Sequence, residues 1–183
     1  YTTLFRSLET DEVEFRLKAR REQRFVLRIR KPEWMKNPTF IINGKEEELV
    51  TDSSGYCLFD RVWAHDNKIV LKYSMKPYIE RLKKSDKYVA LLYGPYVLAG
   101  RFGKKNLPDS FWSTMNNTAR RELDLKEIPS LAYVADAVAD NLKVISRNPL
   151  RFSLPMNGTK EITIEPFYKI HFERYIIYWL TER

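Results

Sequence analysis

Cysteine is almost absent. The single residue, Cys57, excludes an intrachain disulfide and any multi-cysteine zinc cluster within the chain. Histidine is nearly as scarce: His65 and His171 lie far apart, in what read as different lobes. The uncharged run Tyr88–Ala99 spans 12 residues, too short for a bilayer, which needs about 20. We read no signal peptide, lipidation motif, internal repeat or low-complexity tract. No Gly-rich phosphate loop, HExxH or GxSxG occurs, so phosphate-loop, zincin and serine-hydrolase chemistries have no footing. The first residue is Tyr1 rather than methionine, and a processed chain or a fragment is the expectation.

What is present is β-texture. The 183 residues are 44% apolar and 14% aromatic, ample for real cores, and carry a formal net charge of +8. Val13, Phe15 and Leu17 alternate with Glu14, Arg16 and Lys18, the signature of a half-buried strand. Phe25, Leu27 and Ile29 repeat the pattern against Arg24, Arg28 and Arg30. Phe40–Ile42 runs into Asn43-Gly44, which predicts a tight type I′ hairpin because both centres need positive φ. Tyr56–Trp63 and Ile69–Tyr73 alternate again, with Ser53-Ser54-Gly55 and His65-Asp66-Asn67 as turns. Lys87–Gly100, KYVALLYGPYVLAG, is nearly all apolar and predicts two buried strands joined at Gly94-Pro95.

Strands about every ten residues with turn chemistry between them predict an antiparallel, jelly-roll-like β-sandwich over residues 1–100. After Gly100 the pattern breaks. Lys104–Ser130 lacks alternation, with a turn or two of helix expected within Phe111–Leu125. Strand signals return at Leu131–Val134, Leu142–Ile145, Leu150–Leu154, Glu161–Ile164 and Tyr175–Leu180. The expected fold is all-β, with a smaller β-rich module over 101–183.

Basic residues concentrate on the first two strands, and the arginines of the second share one exposed face, whereas Phe15 and Phe25 point the other way. That favours a solvated face over a nucleic-acid platform, which would interleave aromatics with the charges. Trp63 and Trp179 sit in strand patterns and read as core; Trp112 is the candidate exposed aromatic for stacking on a sugar. Cys57 reads as a small buried hydrophobe. Tyr168, His171, Arg174 and Tyr178 crowd one short segment and form the candidate interface or ligand cluster. No residue reads as catalytic.

The order of these motifs resembles family 127 glycoside hydrolases, the β-L-arabinofuranosidase type. FVLRIRKPEW (Phe25–Trp34) is similar to the family's "LRIPxW" strand, and Ile42-Asn43-Gly44 to its "VNG" hairpin. Gly55-Tyr56 with Asp60–Trp63 resembles "GY…RxW", and Ile69–Met75 resembles "VxLxLPM" with Ser74 in place of proline. VALLYGPYVLAG (Val89–Gly100) is similar to "VALxxGPLVxA", and PFYKIHFERYIIYW (Pro166–Trp179) to "PFYxxHxxRYxVYW". The match spans most of the chain in order and is weak over 101–150. The resemblance implies a C-terminal β region that packs on a catalytic (α/α)₆ barrel. That barrel holds the family's zinc, cysteine nucleophile and glutamates, so no catalytic or metal residue transfers here and no cofactor is expected in this chain. It also implies polysaccharide breakdown in a periplasmic or secreted setting. The expected partner is the parent protein's own barrel, with an autonomous carbohydrate-binding module as the rival reading; neither a membrane nor nucleic acid is an expected partner.

Overall fold

A computed structural model describes residues 11–85, 87–104, 130–131, 135–157 and 159–181. Trp112, the Phe111–Leu125 helix and most of the Leu131–Val134 strand lie outside the described residues. The chain is nearly all β, and every strand pairing is antiparallel. It divides into two compact units, residues 1–76 and 77–183.

Unit 1 is two sheets face to face. In the first, β6 (Asp66–Ser74) lies between β1 (Glu12–Lys18) and β3 (Lys36–Ile42), and β4 (Lys45–Glu47) closes the edge. Register follows the apolar alternation: Val13 faces Leu71 on one side of β6, and Phe40 faces Leu71 on the other. Asn43 and Gly44 both take positive φ, at 51° and 84°, as the I′ hairpin requires. The second sheet pairs β2 (Gln23–Arg30) with β5 (Tyr56–Trp63) along their whole length. The Phe40 ring of one sheet meets Phe59 of the other at 4.8 Å between centroids. Trp63 is fully buried, stacks on Phe25 at 5.7 Å, and donates its indole N–H to the Phe25 carbonyl at 3.0 Å. Cys57 and Phe59 lie inside with it.

The described strands of unit 2 form one sheet. Its centre is the Tyr88–Gly100 stretch: β8 (Tyr88–Tyr93) and β9 (Tyr96–Gly103) form a hairpin about Gly94, whose φ is +56°. From β9 the sheet runs through β12 (Thr159–Pro166) and β11 (Leu150–Met156) to β10 (Lys143–Arg147); β7 (Pro77–Arg81) flanks β8. A short helix, α1 (Ala135–Val138), precedes β10. The sequence expectation sets the boundary at residue 100, whereas the compact units divide at Lys76–Pro77, which places the buried hairpin within the second unit. No glycine- or proline-rich linker marks the crossing, and strand periodicity runs straight through it.

The hairpin opens beyond Leu91 and Leu98, and the end of the chain fills the gap. β13 (Arg174–Ile176) runs along β9 toward the hairpin's base, and β14 (Tyr178–Leu180) runs back out along β8. Ile177 is the apex of this nested V. Inside it lies Trp179, fully buried. A Cβ on Gly100 would sit 2.4 Å from Trp179 Cη2, so only glycine at 100 admits the indole.

Candidate functional site

The four residues singled out in Pro166–Trp179 are spread by the nested V. Tyr168 sits on a single 3₁₀ turn (Phe167–Lys169), half exposed, with its ring 5.4 Å from Tyr96. His171 is exposed, and its ring lies tilted against that of its chain neighbour Phe172 at 6.4 Å. Arg174 opens β13, while Tyr178 lies past the apex on β14 and lines a separate shallow hollow with Arg81, Ala90, Leu92 and Val97. The ring contacts of Tyr168 and His171 run to Tyr96 and Phe172 rather than to each other.

The residue between them matters more. Phe172 holds φ = +56°, a backbone state costly for a bulky L-residue. That turn aims Glu173 inward, where its carboxylate, 9% exposed, meets Arg101 Nη2 at 2.5 Å. Arg101 Nη1 also donates to Glu165 Oε1 at 3.2 Å, and Arg151 Nε donates to the same oxygen at 2.7 Å. The Glu165 side chain is only 6% exposed. Glu173 first, and Glu165 with it, hold the Arg101 guanidinium above its ordinary pKa despite partial desolvation.

This network lies on one face of three strands because strands alternate. Glu161, Thr163 and Glu165 point one way along β12, against Ile162 and Ile164. Ser153 faces Thr163, and its hydroxyl donates to Glu161 Oε2. Glu165 faces Ala99, which puts Arg101 two residues on along the same face. Arg101, Arg151, Glu161, Ile162, Thr163 and Glu165 line an open hollow of about 390 Å³. Arg101, Arg151, Glu161 and Glu165 are not among the candidates the sequence offers, although the alternation in β11 and β12 displays the last three.

The remaining candidates behave as structure. Burial raises the Cys57 pKa, which keeps the thiol protonated and poorly nucleophilic. His65 Nδ1 lies 2.5 Å from the Ala19 carbonyl, tying one turn to another. The zinc centre of the resembled family does not fit here: the lone cysteine is buried in a core, and no trio of metal-ligating side chains gathers among the described residues. The basic strand is engaged: Arg24 pairs with Asp60 at 3.1 and 3.2 Å, and Arg28 pairs with Asp52 at 2.5 Å. One aromatic does share that outer face, since Arg28 lies over the Tyr56 ring at 4.8 Å.

Residues 6–75 match the family model described as "Beta-L-arabinofuranosidase, GH127 middle domain". Residues 78–181 match DUF4986, described as a domain of unknown function. The two matches meet where the units divide. No curated protein matches the chain. Among solved structures, one titled "Glycoside hydrolase" aligns with 96% of this chain at 14% identity and a TM-score of 0.62. A GH127 β-L-arabinofuranosidase from Geobacillus stearothermophilus T6 aligns with 96% at 15% identity and a TM-score of 0.55. A GH127 β-arabinofuranosidase aligns with 97% at 16% identity and a TM-score of 0.58. At these identities the likeness is one of fold. This chain spans 31%, 29% and 31% of those three chains.

Proposed function

Since this chain belongs to the DUF4986 family and carries a GH127 middle domain before it, we propose that it is the non-catalytic β portion of a GH127-type glycoside hydrolase. Its work is mechanical: it packs against a catalytic (α/α)₆ barrel and braces the loops around the sugar pocket. The observation that supports this most is the co-linear pair of matches, joined at one boundary, in a chain aligning with about a third of each solved relative. The chemistry agrees. Glycoside hydrolysis asks for two groups about 5–10 Å apart in a cleft, one of them an acid of raised pKa. The buried glutamates here are instead neutralised by arginines. By kinship the setting is periplasmic or extracellular.

The test starts from the full reading frame around this chain. If it encodes a barrel, the two parts are produced separately and mixed. We expect a one-to-one complex by size exclusion, barrel activity on an aryl β-L-arabinofuranoside that rises on mixing, and none from this chain with or without zinc. Turnover by this chain alone, or a barrel equally stable and active without it, would overturn the reading.

A further inference from the structure

The hollow over β9, β11 and β12 has more hydrogen-bonding capacity than its own network uses. Arg151 spends only Nε on Glu165, and its two Nη groups have no partner among the described residues. Both hydrogen bonds to Glu165 land on Oε1, leaving Oε2 without one among the described residues. A guanidinium that served only to staple strands would meet its carboxylate fork to fork. Here Arg151 meets it from the side through Nε alone, and its Nη pair is left over beside a hollow that Arg151, Glu165, Glu161 and Thr163 all line. The guanidiniums are 39% and 44% exposed, while the carboxylates that fix them are buried, so the donors are held in place before anything binds.

We propose that this hollow is a subsite for the vicinal hydroxyls of a neutral sugar. Charge selects the class. Of the charged side chains that line the hollow, Arg101 and Arg151 are balanced by Glu161 and Glu165, a net of zero. An anionic ligand therefore meets two carboxylates, and a metal cation meets two guanidiniums. A sugar hydroxyl accepts from a guanidinium and donates to a carboxylate at once, which suits the leftover Nη groups and the unpaired Oε2. The volume suits one sugar ring. An apolar flank is at hand: Tyr175 pairs with Arg101 across β13 and β9, so it shares the face, and its exposed ring is braced by Phe167 at 4.7 Å. Because the hollow is open, affinity belongs in the millimolar range. The subsite does not depend on the bracing role, which concerns packing and would stand or fall separately.

The test is heteronuclear NMR titration of the full chain with L-arabinose, D-galactose and D-galacturonate. Expected are saturable millimolar shifts with at least one neutral sugar, centred on Arg101, Arg151 and Thr163, and galacturonate binding at least tenfold weaker. Thr163→Phe fills the hollow without changing a charge, and Arg151→Lys can keep the ion pair but removes the spare Nη fork. Each should weaken binding tenfold or more with the unfolding midpoint unchanged. Silence from both neutral sugars, tighter binding of galacturonate, or undiminished binding by either folded variant would overturn the proposal.

Discussion

The two units place their charges differently. In unit 1 most ion pairs decorate outer faces: Arg24 and Asp60 are 71% and 52% exposed, and water competes for both. The part-buried Arg61–Glu47 pair, at 2.7 Å, is the exception, set between the inner faces of β5 and β4. In unit 2 the carboxylates of Glu165 and Glu173 are nearly buried on the face of a single sheet, and Arg101 joins them. Unit 1 has a second sheet to cover its inner face, so its core is made of apolar side chains such as Phe40, Phe59 and Trp63. On unit 2 the far face of β9, β11 and β12 is polar, and its order comes from hydrogen-bonded charges. A sandwich tolerates loss of its surface pairs; a single sheet organised by an internal network should not.

The sharpest way to break that comparison is at the nested V of unit 2. Trp179→Ala should cost about 3–5 kcal/mol, because it empties a fully enclosed indole site. Gly100→Ala should cost about 1–3 kcal/mol by pressing a methyl into the same ring. Urea denaturation measures both. The Trp179 Nε1 is buried with no hydrogen-bond partner among the described residues, so Trp179→Phe, which removes that donor and leaves a smaller void, should be milder than Trp179→Ala. Near-equal stability of the parent and Gly100→Ala would mean that the indole does not occupy the V.

Next come the charges. Glu165→Gln leaves Arg101 and Arg151 facing a neutral amide and should destabilise by about 2 kcal/mol, within the range for hydrogen bonds to charged groups. Asp60→Asn in unit 1 should leave the unfolding midpoint where it was. Equal effects of the two substitutions would erase the distinction between the units.

Much of unit 1 was legible because its information is local. Period-two alternation gave β1, β2, β5 and β6, and Asn43-Gly44 gave the turn of the β3–β4 hairpin. What was not legible depends on register between distant residues. Nothing local to Tyr88–Gly100 says that the hairpin opens or that residues 174–180 fill it, so the stretch was assigned to the wrong neighbour. Tyr168, His171, Arg174 and Tyr178 look like one cluster in sequence, yet the bend at Ile177 puts Tyr178 on a different strand from Arg174. Conversely, Arg101 and Glu165 are 64 positions apart and meet only through the pairing of β9 with β12.

A small effect that depends on pH lies in a turn of unit 1. Asp52 Oδ1 accepts the backbone N–H groups of Tyr56 at 3.0 Å and Ser54 at 2.9 Å, and Oδ2 accepts from Arg28. The Tyr56 N–H above all, then Arg28 and the Ser54 N–H, hold its carboxyl below the usual carboxylate pKa against a modest opposing desolvation. A carboxyl depressed in the folded state stabilises the fold above its unfolded pKa, about 3.9, and loses that contribution as pH falls through the folded value. Asparagine at 52 keeps a carbonyl oxygen for both N–H groups but carries no charge for Arg28. The advantage of the parent over Asp52→Asn should therefore be flat from neutral pH down to about 4 and shrink below it. Urea midpoints of the two proteins across that range are the measurement. An advantage that persisted unchanged well below pH 4, or grew on acidification, would show that the aspartate acts through its shape and not through its charge.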